Sequence, residues 1–121
     1  MSERNTALVI FVYGTLLRGE SNHHLLAEAE FLGCDALPKT WLCTNGRYPA
    51  IRRGYGVTSG ETYLVTEAVL AALDALEDHP FLYQRRIVRL ASRQTAWVYF
   101  GNQILMQKMW LIPSGNWRVK N

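Results

Sequence analysis

One stretch of this chain, "TEAVLAALDALEDHP" (Thr66–Pro80), carries a sustained helical period. Almost everything else comes as short apolar runs cut by glycine, proline or polar turns. That imbalance restricts the fold more than any other feature. Few helices and many short strands predict an α+β chain, with a small mixed β-barrel or a strongly curved sheet and flanking helices. At 121 residues the length suits a single domain over 1–121. With 49% hydrophobic residues, a sizeable core is within reach.

Several elements are readable along the chain. Ala7–Tyr13 is apolar, rich in branched residues and bounded by Gly14, as in a buried strand. Ser21 or Asn22 is placed to cap a short helix through "HHLLAEAE". "FLGCDAL" and "TWLCTN" read as strands separated at Pro38, and Gly46, Pro49, Gly54, Gly56 and Gly60 mark a loop-rich middle. "GETYLV" is a strand. Thr66 is the expected N-cap of a helix Glu67–Leu76, with Pro80 ending it. "YQRRIVRLA" and "TAWVYFG" follow as strands around a turn at Ser92–Gln94, and "QKMWLI" suits one more.

Charge and cysteine usage narrow the class. The net charge of +3 tolerates an anionic ligand but is too small to argue for nucleic acid. Arg85, Arg86, Arg89 and Arg93 suit a solvated strand face, and Trp97, Tyr99 and Trp110 suit the core rather than a base-stacking platform. Cys34 and Cys43 form neither a CxxC pair nor a metal spacing, so two reduced thiols in a cytoplasmic protein are expected. After Glu3 and Arg4 the apolar run Ala7–Val12 is too short for a signal-peptide core or a membrane span. His23, His24 and His79 do not make a metal site, since adjacent histidines point apart on a helix; His79, beside Asp78, is placed to tune Glu77.

The helical stretch holds an anomaly. At about 100° per residue, Val69, Leu70, Leu73 and Leu76 share one arc, and Glu77 falls inside it. A carboxylate on an apolar face is costly unless something satisfies it. Glu77 can bend out to solvent at a frayed helix end. It can pair with Arg85, Arg86 or Arg89. Or it can line a cavity, with a pKa raised toward neutrality for proton transfer. The other anomaly is "VYGTLLRG". Gly14 permits close approach, and the backbone N–H groups of Gly14, Thr15 and Leu16 could form an anion-binding nest. An ordinary strand-to-helix connection is the plainer reading.

The segments "FVYGTLLRGESNH", "GETYLV", "LDALEDHPFLYQRRIV" and "IPSGNW", in that order over roughly Leu8 to Trp117, resemble the gamma-glutamylcyclotransferase superfamily. They are most similar to its gamma-glutamylamine cyclotransferase branch and to small bacterial relatives. The resemblance implies a mixed sheet closed into a small barrel, with a cavity between the first loop and the helix that bears the glutamate. It implies that Tyr13, Gly14, Thr15 and Leu16 hold a glutamyl group, that Glu77 is catalytic, and that Tyr83 is a pocket wall. It implies a small gamma-glutamyl substrate and neither metal nor organic cofactor. The implied reaction closes the substrate's own α-amine onto its γ-carbonyl, giving 5-oxoproline and a free amine. A non-catalytic module binding a small carboxylate-bearing metabolite is the alternative. Three positions depart from the family pattern. Leu17 replaces a common basic residue, Asp78 a common glycine, and Asn116 a common aspartate. The sequence names neither the leaving amine nor the oligomeric state. The segments Arg47–Gly56 and Gln103–Lys108 are the expected determinants of the former.

Overall fold

The computed structural model describes residues 8–120. Glu3, Arg4 and Ala7 lie outside the described residues. Six strands form one mixed sheet: β1 (Leu8–Val12), β2 (Glu30–Thr44), β3 (Pro49–Val65), β4 (Tyr83–Arg89), β5 (Thr95–Gly101) and β6 (Trp110–Leu111). Their spatial order is β4-β5-β1-β3-β2-β6. Neighbours run antiparallel except β1 and β5, which are parallel and meet at Ile10 and Trp97. The sheet curls into a half-barrel and is not closed, the strongly curved form of the two expected. The core fills its concave side, where Ile10, Ile51, Leu73 and Val98 are wholly buried. Among the described residues, no helix is long and apolar enough to cross a membrane.

The glycine- and proline-rich middle is strand, not loop. β2 does not break at Pro38 but runs through it, with a bulge at Lys39, whose φ is 61°. β6 pairs only with Cys43 and Thr44, so β2 is an edge at Pro38 and loses nothing by the missing N–H. In β3 the indole of Trp41 lies flat over Gly54, where a Cβ would come within 2.2 Å of the ring. Here glycine marks close packing rather than a turn.

The helix α1 (Glu67–Leu76) forms as expected. Thr66 Oγ1 accepts from Val69 N at 3.2 Å. Pro80 does not end it. Asp78 does, by taking the left-handed conformation (φ 53°) that commonly follows a helix. Aspartate tolerates this backbone better than most residues, so it does glycine's work there. Leu70 and Leu73 are buried as predicted, whereas Leu76 is exposed. "HHLLAEAE" forms only a single 3-10 turn, His23–Leu26, and a second short helix α2 spans Gln103–Met106. Asn22 does not cap the first of these; its amide donates to Thr15 Oγ1 instead.

Candidate active site

All six residues singled out from the sequence, Tyr13, Gly14, Thr15, Leu16, Glu77 and Tyr83, line one cavity of about 330 Å³. The connection after β1 forms one wall. Leu17 N donates to Gly14 O at 3.0 Å, which turns the chain sharply. Three further bonds hold the turn. Asn22 Nδ2 donates to Thr15 Oγ1 at 3.0 Å, Asn22 N donates to Thr15 O at 2.8 Å, and Arg18 N donates to Glu61 Oε1 at 2.9 Å. The backbone N–H groups of Gly14, Thr15 and Leu16 donate to no acceptor among the described residues. Three consecutive donors on a cavity wall therefore remain open to a ligand. Gly14 is required by packing: a Cβ there would sit 2.1 Å from Pro49 Cγ.

Glu77 lies on another wall as the C-cap of α1. Its carboxylate has no hydrogen-bond or ion-pair partner among the described residues. The ion-pair reading fails: among the described residues no arginine pairs with Glu77, and Arg85 and Arg86 are engaged elsewhere. Arg85 binds both oxygens of Asp74 at 2.8 and 3.1 Å and stacks on Trp97, and Arg86 stacks on Phe100. Burial pushes the Glu77 carboxyl from its usual 4.5 to about 7. His79 does not tune it. Its Nδ1 accepts from Arg85 N at 3.3 Å, and its ring packs edge-on to Tyr99.

The tyrosines are walls rather than acids. Tyr13 donates to Tyr99 O at 2.7 Å, and Tyr83 donates to Pro49 O at 2.5 Å. Burial, with Glu77 nearby, drives both phenols above the ordinary tyrosine range, so both stay neutral. Tyr99 O–H donates to Asp74 Oδ1 at 2.6 Å. Burial disfavours the Asp74 anion, but the bonds from Arg85 and Tyr99 outweigh it and hold the carboxyl below its usual value. This network docks α1 against β4 and β5, and so positions Glu77.

Tyr48, Pro49 and Leu105, from the segments Arg47–Gly56 and Gln103–Lys108 expected to meet the leaving amine, also line the cavity, as do Asn22, Leu76, Leu82 and Tyr99, which the sequence did not place there. Glu61 is buried and accepts from both Arg18 N and Tyr63 O–H, at 2.9 and 3.0 Å. A glutamate inside the apolar strand "GETYLV" was the available signal for that brace. Trp110, expected in the core, is exposed, and Trp97 is only half-buried. The three departures find places. Leu17 is a core residue at 2% exposure. Asp78 turns the chain after α1, and Asn116 Oδ1 accepts from Arg118 N at 2.9 Å, as an aspartate would. Among the described residues, no three His, Cys, Asp or Glu side chains gather to hold a metal ion.

A half-barrel whose largely apolar cavity is lined by a carboxylate and three backbone donors, all without partners among the described residues, is suited to a small molecule. The family model described as "Gamma-glutamyl cyclotransferase, AIG2-like" matches residues 10–119, and the chain belongs to that family. A Vibrio cholerae protein provisionally named gamma-glutamylcyclotransferase is 42% identical over 110 residues, covering 90% of this chain and 94% of the other. The zebrafish (Danio rerio) gamma-glutamylaminecyclotransferase A is 37% identical over 93 residues, covering 67% of this chain and 57% of the other. The solution structure of Escherichia coli ytfP superposes with a TM-score of 0.74 at 34% identity, covering 91% of this chain and 96% of that one.

Proposed function

We propose that this protein is a cyclotransferase. It converts a gamma-glutamyl amine or gamma-glutamyl amino acid to 5-oxoproline and releases the free amine. The observation that carries the reading is Glu77, a carboxylate without a partner among the described residues, on the wall of a largely apolar cavity. Family membership and the name of the zebrafish relative support it. The free, exposed Cys34 suits a reducing cytoplasm.

The chemistry needs no protein nucleophile. The substrate's α-nitrogen attacks its own γ-carbonyl carbon, the lactam C–N bond forms, and the bond to the leaving nitrogen breaks. The α-ammonium must first give up a proton to become the attacking amine, and one further proton then passes from the attacking to the leaving nitrogen. Glu77 accepts it as a carboxylate and returns it as an acid, a role suited to a pKa of about 7. The uncommitted N–H groups of Gly14, Thr15 and Leu16 hold the glutamyl carboxylate or the developing oxyanion. Tyr13 and Tyr83 are rigid walls that keep the glutamyl chain folded, the entropic part of the task.

The test is 5-oxoproline release from a panel of gamma-glutamyl amines and amino acids, with wild type and Glu77→Gln side by side. Release by wild type, with turnover down about 10²–10⁴-fold in a folded Glu77→Gln, is the expected outcome. Full activity in Glu77→Gln sinks the proton-transfer role. If nothing is released yet gamma-glutamyl ligands raise the melting temperature, the cavity belongs to a binding module.

A further inference from the structure

The cavity has two chemical halves, and the reaction as proposed occupies only one. The glutamyl end of a substrate carries an ammonium, a carboxylate and the reacting carbonyl. Glu77 and the open N–H groups of the Gly14–Leu16 loop match these. What remains for the leaving group is apolar. Tyr48, Leu76 and Leu82 are 48%, 40% and 39% exposed, so they form the mouth, whereas Tyr13 and Tyr99 are buried on the floor. Leu105 lines the same cavity. Apart from Glu77, no lining residue carries a charge at neutral pH. Arg47 does not line the cavity; its guanidinium lies over the Tyr48 ring, 5.6 Å from its centre.

The apolar surface continues outward. Asn102 N donates to Leu82 O at 3.0 Å, and Asn102 Nδ2 donates to Phe81 O at 2.5 Å. These bonds hold the segment before β4 beside α2. Phe81 and Ile104, next in sequence to Leu82 and Leu105, are 74% and 77% exposed. A shelf of large apolar side chains at a cavity mouth is the usual mark of a binding surface.

We infer that the released amine is apolar and carries no second charge, an alkyl or arylalkyl amine rather than an amino acid. The inference rests on the cyclotransferase reading and names its substrate class. An amino acid leaving group would bring a carboxylate to this mouth, and a lysine would bring a carboxylate and an ammonium. Apart from Glu77, either charge would find no charged partner among the lining residues, and it would give up part of its water there. An alkyl chain instead gains about fourfold in binding for each methylene it buries.

Matched substrate pairs test this directly. Gamma-glutamyl isopentylamide differs from gamma-glutamyl leucine only by the carboxylate, and gamma-glutamyl phenethylamide differs from gamma-glutamyl phenylalanine in the same way. Purified wild type should release 5-oxoproline from the amides with kcat/KM at least tenfold higher than from their amino acid partners. Leu76→Arg would place a cation at the mouth, on an exposed site where a helix C-terminus welcomes it. That variant should shift the leucine-to-isopentylamide ratio tenfold or more toward the carboxylate. Equal or better turnover of the amino acid members by wild type overturns the inference and leaves the cyclotransferase reading intact. Release from neither member of either pair overturns the inference, and release from the wider gamma-glutamyl panel then decides whether the cyclotransferase reading stands.

Discussion

Glu77 carries the reading, and its environment makes a prediction that does not depend on knowing the substrate. Burial raises its pKa from 4.5 to about 7, so between these values the folded chain binds a proton that the unfolded chain does not. Stability is therefore full below about pH 4.5 and falls as pH rises toward 7 and above. The deficit at pH 8 is about 3 kcal/mol for a shift of this size. Glu77→Gln removes it. Urea unfolding should find the variant more stable than wild type at pH 8 by up to that amount, with the gap closing near pH 4.5. An equal gap at both values would show that the carboxylate is solvated. The catalytic counterpart runs the other way, because the base must be ionised. With the substrate amine unchanged, kcat/KM should climb through pH 7 with Glu77, and a flat profile from pH 6 to 8 would remove it as the base.

At the scale of elements, α1 was the most legible and the long strands the least. The Thr66 cap, the buried Leu70 and Leu73 and the inward Glu77 all follow from a helical period acting within about four turns. Local rules failed where another element supplied what the local sequence lacked. Trp41 reaches across from β2 to cover Gly54, so a glycine-rich segment is stable as strand. Pro38 is harmless because β6 is too short to pair with it. The same cross-element logic governs the first loop. Its glycine is set by Pro49, which is remote in sequence and whose carbonyl also receives the Tyr83 hydroxyl. Gly14→Ala should force that wall to move. An overpacking cost of about 1–3 kcal/mol is expected, with a fall in ligand affinity larger than stability alone explains. Thermal melts with and without a gamma-glutamyl ligand would read both. A variant with unchanged stability and unchanged ligand shift would contradict the packing.

Across the whole molecule, the C-terminal segment closes over the loop that begins the chain's first turn. Trp117 is buried and its Nε1 donates to Glu20 Oε1 at 3.1 Å. Arg118 reaches the carbonyl of Arg18 and lies 3.7 Å from Glu61 Oε2. Residues near the two ends of the described chain thus brace the same wall of the cavity. Trp117→Ala should cost about 3–5 kcal/mol. Trp117→Phe keeps most of the packing and loses only the bond to Glu20, so it should recover most of that stability. If Phe and Ala were equally damaging by chemical denaturation, the hydrogen bond rather than the packing would carry the closure.

Taken alone, the amino-acid order determined what depends on near neighbours: the helix and its cap, most strands, and a carboxylate on the apolar side of a helix. Such features arise from dihedral preference and short-range periodicity, which act over a few residues. Tertiary structure decided the rest. It assigned Arg85 to Asp74 and left Glu77 without a partner among the described residues. It turned the glycine-rich middle into β3, made Glu61 a brace for the first loop, and gathered Tyr48, Leu76, Leu82 and Leu105 into one apolar mouth. The reason is physical. Burial, desolvation and pairing depend on which distant atoms arrive, and a half-barrel brings together residues that no local rule relates.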